Sequence, residues 1–177
     1  MPSGKTHDAI TFLFAIPILG LACVGLGNYS AAAVVTFAFL FGGLMFGPDL
    51  DTKSVQYARW GVFRSLWYPY KTFFKHRSRW SHGLVFGTLI RVIYFVGAIT
   101  VVSFLIAFFA ATYTNGEIPL FSEFLRTWTT VGDFARQNFG QSIFYFLFAG
   151  LWLGAASHTI TDMAGSYIKT GRITEFL

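Results

Sequence analysis

The sequence predicts an all-α integral membrane protein, a bundle of four spans, and three observations predict it. Only 12% of the 177 residues are charged, whereas 54% are hydrophobic; an ordinary soluble domain carries about 25% charge. Four apolar blocks, 9–26, 31–46, 84–112 and 142–160, approach or exceed the run of about 20 residues that crosses about 30 Å of hydrocarbon. The basic charge is also uneven: seven of the thirteen Lys and Arg residues fall in residues 49–82. At this length one domain, 1–177, suffices.

Met1 to Asp8 is a short polar lead. The first block exceeds the usual apolar core of a secretory signal, about 7–15 residues, so it reads as a span rather than a cleaved leader. Gly20-Leu21-Ala22-Cys23 faintly resembles a lipoprotein processing site but lacks the usual Leu. Gly27-Asn28-Tyr29-Ser30 punctuates a turn. The second block carries Ala31, Ala32, Ala33, Gly42 and Gly43, small enough for close helix packing. Pro48 stops it, because proline disfavours the helical region for the preceding residue. Residues 49–82 hold no span but many aromatics, including Tyr57, Trp60, Trp67, Tyr68, Tyr70 and Trp80, which suit the headgroup level. Residues 57–66 and 71–75 are expected to form short interfacial helices.

The third block is longer than a crossing needs. Its Arg91 either snorkels to the basic side or faces the bundle. In the connector 117–139, Phe121, Phe124, Leu125, Trp128, Val131 and Phe134 recur at helical spacing, so an amphipathic interfacial helix is expected. The fourth block ends in Ser157-His158-Thr159-Ile160-Thr161-Asp162, followed by a polar tail. The lone Cys23 excludes an intrachain disulfide and a thiolate metal cluster. No nucleic-acid partner is expected, because the charge reports topology first; the expected partners are membrane lipids and other membrane subunits.

Positive charge marks the cytoplasmic side. Seven cations follow the second block, none lies in the first turn, and Arg126 and Arg136 in the third connector meet Glu117, Glu123 and Asp133. Both termini and residues 49–82 are therefore expected in the cytoplasm. That parity brings every histidine, His7, His76, His82 and His158, to one face, with Asp8, Asp49, Asp51 and Asp162.

Imidazoles and carboxylates without thiolate suit zinc, manganese, iron or nickel. His158 and Asp162, four apart, share one helix face. Asp49 and Asp51, two apart in an extended stretch, point the same way. The expected metal ligands are His7, Asp49, Asp51, His76, His82, His158 and Asp162, holding one or two divalent ions (Zn, Mn or Fe). Asp8 is a candidate to orient an imidazole. Each member also has a plainer reading: a helix cap, a solvated stop, a hydrogen-bonded pair, or a headgroup contact for Arg77 and Arg79.

The blocks Gly-x-x-Phe-Gly-Pro-Asp-Leu-Asp (ending at Asp51), His76-Arg77-Ser78-Arg79-Trp80-Ser81-His82-Gly83 and Gly154-x-x-Ser157-His158-x-x-x-Asp162, with Pro2-Ser3-Gly4-x-Thr6-His7-Asp8 ahead of them, resemble a family of bacterial membrane proteins described as uncharacterised metal-binding proteins. That family is similar in motif to membrane-bound metal-dependent hydrolases and, more loosely, to zinc-dependent phospholipase C. The resemblance implies a hydrolase of a phosphoester or lipid headgroup in a bacterial inner or internal membrane. Water activated by the ions would be the nucleophile, Arg77 or Arg79 would hold the anion, and Asp51 would move the proton. The alternative is a small metal-binding subunit or assembly factor of a larger membrane complex, without catalysis. A metal transporter is disfavoured, because transporter sites lie near the midplane.

Overall fold

A computed structural model describes residues 3–74, 78–84, 86–114 and 116–171, including every side chain except that of Arg79. The described residues are helical throughout, with no strand. Four helices are long and apolar enough to cross a membrane. They are α1 (Gly4–Leu26), α2 (Tyr29–Leu44), α6 (Phe86–Tyr113) and α8 (Ile143–Thr170). Between α2 and α6 lie a 3-10 turn (Pro48–Asp51), α3 (Val55–Arg59), a 3-10 stretch (Gly61–Trp67), α4 (Tyr68–Phe73) and α5 (Arg79–His82). The amphipathic helix expected in the connector is α7 (Phe121–Phe139).

Local chemistry sets these ends. Ser3 caps α1 by accepting from the Thr6 amide, so the helix starts ahead of His7 rather than after the polar lead. Asn28 caps α2 in the same way, accepting from Ala31. Gly47 is extended before Pro48, as the proline requires, so α2 stops short and the chain restarts as a 3-10 turn.

The fourth span departs from expectation. It runs ten residues past Ile160, because nothing breaks the helix before left-handed Gly171; Thr159 and Thr161 turn their hydroxyls back to the Ala155 and Ser157 carbonyls within it. His158 and Asp162 thus sit inside a continuous helix, not at its end.

Helix α2 is sandwiched between α1 and α8. Glycines make the contact. A Cβ on Gly42 would stand 2.5 Å from the Leu151 carbonyl oxygen, and one on Gly154 would run into the Phe39 carbonyl. On the other side, a Cβ on Gly43 would meet Thr11 of α1 at 2.6 Å. Ala31, Ala32 and Ala38 complete the seam, whereas Ala33 faces outward.

The basic segment is more deeply built than a loop lying at an interface. Trp67 and Tyr70 are completely buried, with Phe46 and Leu50. The Trp67 ring stacks on Phe95 of α6 (5.6 Å between centroids) and meets Trp60 edge-on (5.2 Å). Large aromatics bury the most surface per residue, so some of this set serve as a core that binds the segment to α6. Phe63, Tyr68, Phe73 and Trp80 stay exposed as expected. Gly61, at φ +54°, divides the expected 57–66 helix in two.

Arg91 faces the interior rather than snorkelling. It is fully buried and donates to the Ser81 carbonyl (2.5 Å) and to Thr88 Oγ1 (3.1 Å), tying α5 to α6.

Candidate metal centre

Three histidines from three separate segments meet at one end of the long helices. His7 lies one turn into α1 and is buried. His158 lies on α8, three turns from its exit, and is 3% exposed. His82, at the end of α5, is 1% exposed. The backbone contact at Gly154 lets His158, one turn on, reach the Pro48–Asp51 turn.

Two carboxylates link the imidazoles. Asp162 faces His7 Nε2 with Oδ1 (3.2 Å) and His158 Nε2 with Oδ2 (3.5 Å). Asp49 faces His158 Nε2 with Oδ2 (3.4 Å) and His82 Nε2 with Oδ1 (3.5 Å). The rings of His7 and His158 lie face to face, with centroids 3.7 Å apart and planes at 10°.

These spacings suit ligands around an ion. Two donors held about 2.0–2.2 Å from a tetrahedral ion stand about 3.3–3.6 Å apart. His158 Nε2, Asp162 Oδ2 and His7 Nδ1 are buried without hydrogen-bond partners. Leaving such atoms dry and unpaired costs about 1–3 kcal/mol each, so an ion on the first two would remove a standing penalty. His7, His158 and Asp162 form one ligand group, and Asp49, His82 and Asp162 form another. All donors are nitrogen or oxygen, which fits a borderline or hard divalent ion.

Asp51 takes a different place from Asp49. The Pro48–Asp51 turn is 3-10 rather than extended, so successive side chains diverge by about 120°. Asp51 is buried and reaches His82 from the far side, Oδ2 to Nδ1 at 3.4 Å. Ser81 Oγ donates to the Ser78 carbonyl and stands 3.0 Å from the same Nδ1. Two oxygens at Nδ1 fix the orientation of the ring and leave Nε2 facing Asp49. Burial alone would lower the His82 pKa, but Asp49 and Asp51 outweigh it, and the pKa is raised.

Asp8 turns away from the imidazoles. It pairs with both terminal nitrogens of Arg59, whose Nη1 also donates to the Leu44 carbonyl (2.8 Å), so the pair fastens α1 to the end of α2. His76 and Arg77 lie outside the described residues, as does the side chain of Arg79.

One residue at the site carried no signal in the sequence. The Gln56 amide nitrogen donates to the Gly43 carbonyl (2.7 Å) and stands 3.3 Å from His158 Nδ1. Gly47 makes room for it, since a Cβ there would collide with the Gln56 amide. Only the fold shows that a glutamine in a basic loop reaches back to α8.

Beside the cluster lies a cavity of about 290 Å³, whose lining includes His7, Asp8, Asp49, Lys53, Arg59 and His158.

Fold and site together define a helical metal-binding protein of membrane-crossing dimensions. The chain belongs to the family described as "Uncharacterized metal-binding protein (DUF2227)", which it matches over residues 2–172. No curated protein and no solved structure matches it.

Proposed function

We propose that the protein is a membrane-bound, metal-dependent hydrolase acting on a phosphoester or lipid headgroup at the cytoplasmic face. The observation that carries this reading is the pair of carboxylates, Asp49 and Asp162, each facing two imidazoles beside a cavity whose lining includes Lys53. A carboxylate that faces two imidazoles with separate oxygens is suited to join two ions. A closed structural site would need neither two such carboxylates nor an adjoining cavity. When bound, divalent ions there supply a Lewis acid and a water acidic enough to be a nucleophile near neutral pH.

The chain's own groups divide the remaining work. Asp162 and Asp49 fix the imidazoles of His7, His158 and His82 around one centre. Asp51 and Ser81 face Nδ1 of His82 and so orient its Nε2 toward Asp49. Asp51 does not line the cavity, so it would exchange a proton with it only through the His82 ring. Lys53 gives the cavity a cation for an oxyanion, Arg59 being held by Asp8. Arg77 and Arg79, just ahead of His82 in the chain, are further candidates for holding it. Insertion with both termini in the cytoplasm follows from the basic segment at the site's end of the helices.

The test is direct. Purified protein loaded with Zn²⁺ or Mn²⁺ is expected to hydrolyse at least one of phosphatidate, a phosphodiester phospholipid or a prenyl phosphate, and Asp162→Asn is expected to abolish the activity. Metal-loaded protein inert towards all three contradicts the reading.

A further inference from the structure

The cavity beside the imidazoles does not end at Lys53. A second groove, of about 450 Å³, opens between α3 and α4, and its lining includes Lys53, Ser54, Tyr57, Arg64, Tyr68 and Lys71. Lys53 and Ser54 line both spaces, so the two lie side by side. The cavity alone, at about 290 Å³, is at the lower edge of ligand sites, which span about 300–1,000 Å³. With the groove beside it, the site has room for a longer ligand.

The charge in the groove is not neutralised from within. Among the described residues, the carboxylates at this end of the molecule are committed elsewhere. Asp8 is held by Arg59, and Asp49, Asp51 and Asp162 face imidazoles. No carboxylate lies within ion-pair distance of Lys53, Arg64 or Lys71 among those residues. Lys71 is instead carried over tyrosine faces, its Nζ 4.9 Å from the Tyr57 ring centre and 5.6 Å from that of Tyr68. Tyrosine faces hold an ammonium in place without cancelling its charge. General attraction to anionic lipid would ask only for basic residues spread over a surface. Here three converge on one groove that adjoins the imidazole cavity at Lys53 and Ser54.

We propose that this groove is a second anion subsite, taking the outer phosphate of a ligand whose inner phosphate lies at the His/Asp cluster. The substrate class is then a diphosphate rather than a monophosphate. The proposal rests on the hydrolase reading above and adds to it the charge and length of the substrate. The same diphosphate chemistry is offered by a free diphosphate or by a lipid that bears one.

The experiment uses the full chain in detergent, its metal content measured first, and the triple variant Lys53→Gln/Arg64→Gln/Lys71→Gln. All three side chains are exposed or half-buried, so the variant is expected to melt with the wild type. Calorimetry compares inorganic pyrophosphate with orthophosphate. A parallel arm compares phosphatidylcholine vesicles with and without a prenyl diphosphate. Wild type is expected to prefer the diphosphate at least tenfold, and the triple variant is expected to lose that preference while its metal content is unchanged. Loss of preference in the soluble arm assigns the subsite to free diphosphates, and loss confined to the vesicle arm assigns it to a lipid headgroup. A triple variant that keeps the wild-type preference in both arms overturns the proposal. A protein that takes up no metal, yet binds pyrophosphate through these three cations, contradicts the hydrolase reading and still supports the subsite.

Discussion

The imidazoles of His7 and His158, from the first and last helices of the chain, stack face to face at 3.7 Å. Asp162, buried beneath both Nε2 atoms, is what a pair of ligands to bound ions would share. Asp162→Ala is therefore expected to weaken metal binding more than tenfold, since it removes a ligand from each of the two groups. Unchanged metal affinity on calorimetric titration would show that the carboxylate serves only the fold.

Gln56 acts through His158. Its amide holds the Nδ1 edge of the ring and the Gly43 carbonyl at once. Loss of such a supporting partner typically costs about 10–100-fold in metal affinity. Gln56→Ala is expected to fall in that range while leaving the helices intact. An affinity within twofold of wild type would remove Gln56 from the account.

Asp8 and Arg59 make the opposite prediction. Their pair is partly exposed and contacts no imidazole. Asp8→Asn is expected to leave metal stoichiometry unchanged, with a stability effect of about 0–1 kcal/mol. Loss of metal in Asp8→Asn would mean that this carboxylate orients a ligand after all.

The α2–α8 contact is what brings His158 to the turn, and it has no room to spare. Gly154→Ala places a methyl against the Phe39 carbonyl and is expected to destabilise by about 1–3 kcal/mol. Gly97→Ala on α6 meets nothing within 4 Å, and alanine favours a helix, so it is expected to be neutral or slightly stabilising. Equal melting temperatures for the two variants would contradict the packing described.

The His82 pKa gives a pH dependence. Burial lowers it, but Asp49 and Asp51 raise it further, so it ends above its usual 6.5. A folded value above the unfolded one stabilises the protein below about pH 6.5, and that stabilisation is lost as pH rises through the folded value. Metal-free protein is expected to melt at lower temperature as pH rises through that window. Metal affinity is expected to rise over the same window, because the ion competes with the proton. A metal-free melting temperature that climbs with pH there would contradict the pairing.

Composition and spacing made the four long helices and the amphipathic α7 legible, because apolar runs and helical periodicity are local signals. The grouping of His7, Asp49, His82, His158 and Asp162 was legible from parity, since each lies beside a boundary of an apolar block on the same side. The different roles of Asp49 and Asp51 were not. They depend on whether Pro48 opens an extended or a 3-10 turn, which the packing of Leu50 into the aromatic core decides. Nor was the inward turn of Trp67 and Tyr70 visible. Aromatics in a basic loop suit a headgroup interface as well as a core, and only the neighbouring face of α6 separates the two. Gln56 had no local signal at all, because its partners are a backbone carbonyl on α2 and a ring on α8.

The central claim is that these imidazoles and carboxylates hold divalent metal. Elemental analysis of detergent-purified wild type beside His158→Ala tests it most directly. Wild type is expected to carry one or two equivalents of a divalent transition metal per chain, and the variant substantially less. Wild-type protein without stoichiometric metal, or a variant that retains the full amount, would contradict the account.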